Sequence, residues 1–456
     1  MNVVLSIIIF LSGILYAGEP AEETEFIRSI YQTCLTKDIT YSNLGLLCEK
    51  FPSRLTGSKG AAGAVKWTKK LLENYNYDRV FLQEFMGPHW ERGEKEQAYF
   101  IISGERNDLS VLALGRSVST PEAGITAKVL VVNSLDEVDS LGAENISGKI
   151  VFYNEPFAQS HIHTFSGYSE SVTKRSKGPS HAARYGAVAV VIRSVGTAMD
   201  DHPHTGSLSY AEDAPQIPAA ALGYQSADKL YDALQKDPDL KLTLKINSHT
   251  FPDEPSHNVI GEISGSEKRD QIILIGGHLD AWDTGQGAHD DGAGVMQSIG
   301  ALRVLKMLGY IPKHTMRVVL FMNEENGLLG GKKYAEEELI NRENHILAIE
   351  SDAGGFVPRG FSFKGADSIL MHLQSYLPYF PPYTIESIIS GGGGADIGPL
   401  NKSCDTPLLG LVPDSQRYFD FHHSPADVFS AVNRRELELG TASLAAMIYL
   451  VDKYGL

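Results

Sequence analysis

The chain is poor in cysteine, with only Cys34, Cys48 and Cys404 among 456 residues. No disulfide framework holds such a fold together; one Cys34–Cys48 bridge and three buried free thiols are both open readings. Positive charge is also scarce, 40 Lys and Arg against 56 Asp and Glu, for a formal net charge of −16. A protein that coats phosphate backbones needs clustered basic residues to release counterions, so the balance argues against nucleic acid as a partner. The leading apolar run, residues 1–17, is shorter than the ~20 residues of a membrane span, and no stable membrane anchor is expected. It ends in small residues and reads as a secretory signal peptide, which implies a secreted protein, found outside the cell, in the secretory pathway or in the lysosome. Two sequons, at Asn145 and Asn401, then become candidate glycosylation sites.

What the chain does have is apolar material: 43% hydrophobic residues, with 18 Phe and 20 Tyr, enough to bury a core and exclude wholesale disorder. Its length predicts two domains. Periodicity predicts helices over 23–35 and 61–72, and strands over 79–85, 99–102 and 111–114. Residues 121–247 change character, with short strands at 128–132, 149–153, 187–192 and 217–222 around a polar stretch, 159–181, that has no clear period. From residue 258 strands at 271–276, 317–322, 346–350 and 408–411 alternate with helices at 293–308 and 332–340, and an amphipathic helix at 434–453 closes the chain. The expected fold is α/β: a mixed, mostly parallel sheet sandwiched by helices. The main domain is split into 18–120 and 248–456 by a β-rich insertion at 121–247.

In such a sheet ligands gather beyond the carboxyl ends of the strands. The four predicted strands after residue 270 lead to His278 and Asp280, to Glu324 and Glu325, to Asp352, and to His422 and His423. Four loops thus bring metal-ligand residue types to one edge. The glycines of the loop at 285–292 permit the tight backbone that presents Asp290, the expected bridging ligand. Asp291, just before the helix at 293, reads equally as an N-cap or a ligand. Asp290, Glu325 and Asp352, with a bridging hydroxide, offset two divalent cations, and imidazole with carboxylate but no thiolate suits zinc in an open catalytic site. Adjacent side chains on an extended strand point opposite ways, so Glu325 would ligate while Glu324 serves as general base. Asp280 is expected to accept the spare ring N–H of His278. Composition does not choose between His422 and His423.

The motifs Gly276-Gly277-His278-Leu279-Asp280-Ala281-Trp282-Asp283, Asp290-Asp291-Gly292, Glu324-Glu325, Glu350-Ser351-Asp352-Ala353-Gly354 and Phe421-His422-His423-Ser424 resemble those of the dizinc aminopeptidase and carboxypeptidase superfamily. Gly148-Lys149-Ile150-Val151 and Ile217-Pro218-Ala219 resemble a protease-associated domain. The resemblance implies two Zn2+ per subunit: His278 and Asp352 on one, Glu325 and His423 on the other, Asp290 shared, and Glu324 as base. It selects His423 because Asp427 follows four positions later, although Val428 stands where the family has Thr. It further implies a substrate or oxyanion role for His422, a loop at 391–396 carrying Gly393 and Asp396 over the substrate cleft, a cis Asp290–Asp291 peptide, and a homodimer. The activity implied is that of a zinc exopeptidase on small peptides, chiefly dipeptides with free termini. An aminopeptidase on longer peptides is the alternative, separated by blocking either terminus. A metal-free binding or receptor protein is another, separated by zinc content.

Overall fold

A computed structural model describes residues 21–456; the expected signal peptide lies outside them. The strands are β1 (Arg79–Glu91), β2 (Gln97–Ile102), β3 (Glu105–Leu109), β4 (Val111–Ala113), β5 (Ile125–Val132), β6 (Ile150–Tyr153), β7 (Ala189–Arg193), β8 (Ala219–Leu222), β9 (Lys241–Lys245), β10 (His249–Ile263), β11 (Lys268–His278), β12 (His314–Phe321), β13 (Asn344–Glu350), β14 (Pro358–Lys364), β15 (Ser387–Ser390) and β16 (Leu408–Pro413). They form two eight-stranded sheets.

The first sheet has the order β1-β10-β12-β11-β13-β16-β14-β15. Its centre, β12-β11-β13-β16, is parallel, and antiparallel pairs flank it, so the expected mixed sheet is present. The central strands carry apolar runs at 272–275, 318–321 and 346–349 because both faces are covered. Ile273, Ile275, Val318 and Leu320 face the main core with the helices Ala293–Met307 and Arg434–Tyr454. Leu274, Val319 and Ala348 face the helices Leu329–Asn341 and Gly398–Cys404.

The second sheet, β3-β2-β9-β5-β6-β7-β8-β4, corrects the expected boundary. Residues 97–113, assigned above to the first part of the main domain, pair with β8 and β9 in this sheet rather than with β1, so it begins near residue 97 and not at 121. The unit is also less purely β than expected, since it carries the helices Leu135–Ile146, Thr164–Ser176, Gly178–Ala183 and Tyr224–Lys236. The helix Thr164–Ser176 arises within the stretch without a period because its buried residues are Thr164, Gly167, Ser171, Lys174 and Arg175, a face with no apolar stripe to read. A further helix, Tyr41–Lys50, buries Leu44, Leu47 and Cys48. Cys34 and Cys48 are buried free thiols and Cys404 is half-buried and free, so no disulfide forms among the described residues. None of their helices is long and apolar enough to cross a membrane.

One buried histidine gives the first sheet a pH dependence. His345, on β13, takes a 2.8 Å hydrogen bond between its Nε2 and the Tyr334 hydroxyl. Burial and the Arg317 charge push its pKa down to about 3, from an ordinary ~6.5. The unfolded chain therefore binds this proton first, and the stability His345 contributes is complete above pH ~6.5 and lost as pH falls toward 3. By pH 5 the expected loss is about 2 kcal/mol. Unfolding free energies from urea titrations at pH 7 and pH 5 test this: the difference between the two should shrink by that amount in His345→Gln, and an unchanged difference would refute it.

Candidate active site

The residues singled out after residue 270 meet at the carboxyl edge of the central strands. His278 is the last residue of β11. Asp290 lies in a buried turn, Ala288–Gly292, that leads into the helix Ala293–Met307, and its peptide bond to Asp291 is cis. Glu325 and Asp352 follow β12 and β13, while His423 ends a short stretch after β16. Asp291 is buried and accepts from the His278 N–H (3.0 Å) and the Gly294 N–H (3.0 Å). It thus caps the helix and ties it to β11, the first of its two readings. At Gly294 a Cβ would collide with the Ser351 carbonyl, so glycine is what lets the helix start this close to β13.

Two residues fasten the Asp290 turn from outside. The Asp427 carboxylate accepts from the His289 N–H (2.7 Å) and the Asp290 N–H (3.1 Å). Arg54, fully buried, donates to the carbonyls of Leu279 (2.8 Å), Gln286 (2.7 Å) and Gly287 (2.9 Å), closing the loop between His278 and Asp290. A lone arginine in a connecting segment gives no sequence signal, so only the structure reveals this role.

The geometry is centred on Asp290. One carboxylate oxygen lies 3.2 Å from His278 Nε2 and the other 3.2 Å from His423 Nε2. Asp352 stands 3.5 Å from His278 Nε2, and Glu325 3.0 Å from His423 Nε2. His278, Asp290 and Asp352 form one group of convergent ligand atoms; Asp290, His422 and His423 form another. Of the tandem histidines, His423 meets both Asp290 and Glu325, whereas His422 Nε2 comes no nearer to Asp290 than 3.8 Å. Asp290 Oδ2 and Glu325 Oε1 are buried without a hydrogen-bond partner. Buried carboxylate oxygens without donors, facing imidazoles across two pockets of ligand atoms, fit a pair of divalent cations.

The charges fit as well. Burial opposes a proton on His278, but Asp290 and Asp352 outweigh it and hold the imidazole protonated far above its ordinary range. Burial likewise opposes charge on His423, and Glu325 and Asp290 push its pKa up to about 10. The carboxyl of Glu324 is raised well above the usual range by burial, reinforced by Asp352 and Glu325. The two imidazoles hold protons where divalent cations would take their place.

Two expected details change. Asp280 does not hold the His278 ring through its side chain: Nδ1 meets the Asp280 backbone carbonyl at 3.0 Å, while the nearest carboxylate oxygen is 3.8 Å away. The carboxylate instead accepts from the N–H groups of Asn323 (2.7 Å), Glu324 (3.1 Å) and Glu325 (3.3 Å). That grip bends the segment after β12 into a turn, so the two glutamates diverge through a turn and not along an extended strand. Glu325 faces His423, and Glu324 opens onto a cavity of about 230 Å³ with Asp290, Asp352 and His422.

A larger cavity of about 520 Å³ adjoins it at Asp352, lined by Gly392, Gly393, Gly394, Glu350 and Leu411. Gly393 therefore borders open space beside the site. Asp396, expected with it over the substrate cleft, is instead fully buried and lines neither cavity. Its loop is tied inward because Glu350 accepts from the N–H groups of Ala395 (3.0 Å), Asp396 (3.4 Å) and Ile397 (2.9 Å). His422 stacks on His423 with ring centroids 3.5 Å apart, and burial drives its pKa well below the ordinary value, leaving it neutral. Of the sequon residues, Asn145 is exposed, while Asn401 is half-buried with its amide donating to the Thr406 carbonyl at 3.0 Å.

The second sheet reaches into this site. The Thr205 N–H donates to the His423 carbonyl (2.8 Å), His204 Nδ1 meets the His422 carbonyl (2.7 Å), and the Thr197 N–H donates to that of Phe419 (3.1 Å). His423 has a left-handed backbone, φ 59°, uncommon outside glycine, and the bond from Thr205 helps hold it. The helix Thr164–Ser176 supplies Phe165, Tyr168 and Arg175 to the wall of the cavity that contains Glu324.

Comparison with known proteins agrees with this architecture. Residues 258–447 match the model of peptidase family M28. Human carboxypeptidase Q is 36% identical over 412 residues, covering 90% of this chain and 85% of that protein. The crystal structure of a peptidase M28 precursor from Shewanella amazonensis superposes with a TM-score of 0.90 at 33% identity, over 95% of this chain and 97% of that one. An aminopeptidase from Aneurinibacillus shares the fold, with a TM-score of 0.63 at 19% identity over 93% and 95% of the two chains. Similarity this strong, over nine-tenths or more of this chain, makes it a member of peptidase family M28.

Proposed function

We propose that this metallopeptidase is a secreted exopeptidase that holds two Zn2+ and hydrolyses short peptides, chiefly dipeptides with free termini, as a homodimer bearing glycan at the exposed Asn145. The observation that carries the reading is the Asp290 carboxylate, set 3.2 Å from each of two histidines that have their own carboxylate partners. His278 and Asp352 would hold one ion, Glu325 and His423 the other, and Asp290 both. The family, and relatives named as a carboxypeptidase and as an aminopeptidase, support the choice of peptide hydrolysis.

Zinc at these positions supplies Lewis acidity and lowers the pKa of water. The rest of the chemistry belongs to side chains. Glu324 lines the cavity and takes the proton of the attacking water as its oxygen bonds to the peptide carbonyl carbon. The same carboxyl, its pKa raised by burial and by Asp352, then gives that proton to the leaving amine nitrogen as the C–N bond breaks. His422, neutral and stacked on His423, would contact the carbonyl oxygen. The low-dielectric surroundings strengthen each of these interactions.

Zinc titration of chelated protein tests the reading. Dipeptide hydrolysis is expected to vanish on chelation and to return fully at about two equivalents of zinc, as two ligand sets sharing one carboxylate require. Hydrolysis that survives chelation, or a single ion at saturation, would refute it. Tolerance of a C-terminal amide together with loss on N-acetylation would favour the aminopeptidase alternative.

A further inference from the structure

We propose that Glu338, Glu343 and His345 form a third cation site, apart from the one around Asp290, that takes a divalent transition ion such as Zn2+. One ligand atom from each residue lies within 4.8 Å of the others. The three stand at the opposite end of the central strands from the residues that surround Asp290. Glu338 lies in the last turn of the helix Leu329–Asn341, Glu343 follows that helix, and His345 is the second residue of β13. The rest of β13 runs between His345 and Asp352, which sets the two sites on the order of 20 Å apart.

The charges in this cluster do not balance. Three carboxylates, those of Glu262, Glu338 and Glu343, meet one buried guanidinium, Arg317, at 2.6, 3.3 and 2.5 Å. Arg79 also reaches Glu262, at 3.4 Å, but its side chain is largely exposed and offsets little. Glu338 is 4% exposed, and its Oε2 has no hydrogen-bond partner. Its carboxyl lies against that of Glu343, close enough to share a proton. Two buried carboxylates in contact need either that proton or a cation between them. The imidazole beside them favours the cation, because Glu338 Oε2 faces His345 Nδ1 across 3.8 Å. The other ring nitrogen, Nε2, meets the Tyr334 hydroxyl at 2.8 Å, which orients the ring and can accept its N–H when Nδ1 takes an ion. The Glu343 side chain is 27% exposed and gives an ion its way in from solvent. One imidazole with two carboxylates suits zinc or a similar ion better than Ca2+, which prefers oxygen ligands alone. An ion here would fasten to β13 the far end of the helix that begins beyond the Glu324–Glu325 turn, so its effect is on stability and not on turnover.

Isothermal titration of the full-length, zinc-loaded protein with further Zn2+ at neutral pH tests this. One more ion per chain is expected, bound more weakly than those at Asp290 because Arg317 stands beside it, and raising the melting temperature while dipeptide kcat/KM stays constant. Glu343→Gln and His345→Gln should each weaken that step by about a hundredfold or more, with the earlier binding steps and hydrolysis as in wild type. Wild type that takes up no further ion at about 1 mM free zinc would show that Glu338 and Glu343 share a proton instead, and would overturn the proposal. So would a further ion that both variants keep, which places it elsewhere, or one that Ca2+ replaces equally well, which removes the imidazole from its ligands. Should the variants fail to fold, anomalous scattering from wild-type crystals grown in zinc still decides the point. A peak within bonding distance of His345 Nδ1 would support the site; peaks only elsewhere would overturn it.

Discussion

Glu324→Gln is expected to lower kcat for dipeptide hydrolysis by about 10²–10⁴-fold while the protein still binds two zinc ions. Glutamine keeps the shape and hydrogen-bonding reach of the side chain but cannot take a proton. The metal count should hold because the contact with a ligand histidine runs through the neighbour: Glu325 lies 3.0 Å from His423, and Glu324 opens onto the cavity. The turn that separates them is held by backbone N–H groups donating to Asp280, and the substitution leaves these in place. Elemental analysis of the same preparations used for kinetics gives both readouts. An undiminished kcat would remove Glu324 from the mechanism; lost zinc would reassign it as a ligand.

Asp290→Ala should do more. A carboxylate that faces both histidines cannot be removed from one ion's ligand set alone, so both binding steps should weaken and the zinc count should fall below two. Hydrolysis is expected to drop by about 10³-fold or more, since the Lewis acid and the activated water are lost together. Isothermal titration with zinc would show the change directly. Two unperturbed binding steps would rule out a shared ligand.

Much of this site was legible in the sequence because three of the proposed ligands lie at or after the ends of buried strands. His278 ends β11, and Glu325 and Asp352 follow β12 and β13, whose apolar runs mark a parallel sheet covered on both faces. Other features had no such flag. Spacing cannot tell whether a histidine ring meets an aspartate's side chain or its backbone carbonyl, and for His278 it is the carbonyl. Short strands such as β2 and β4 carry the same local pattern whichever sheet they join, so the true start of the second sheet depended on partners more than 100 positions away. The helix Thr164–Ser176 was invisible for a different reason. Its buried residues are Thr164, Gly167, Ser171, Lys174 and Arg175, so no hydrophobic pattern marks it, although its Phe165, Tyr168 and Arg175 line the cavity that contains Glu324.

The bonds from Thr197, His204 and Thr205 to the carbonyls of Phe419, His422 and His423 mean that His423, the last of the proposed ligands, is gripped from a sheet other than the one that carries it. Opening the seam between the two sheets would therefore disturb the site from outside the cavity. A compound wedged into it, away from the peptide-binding cavity, would shift His423 and lower turnover in a way that added substrate could not reverse.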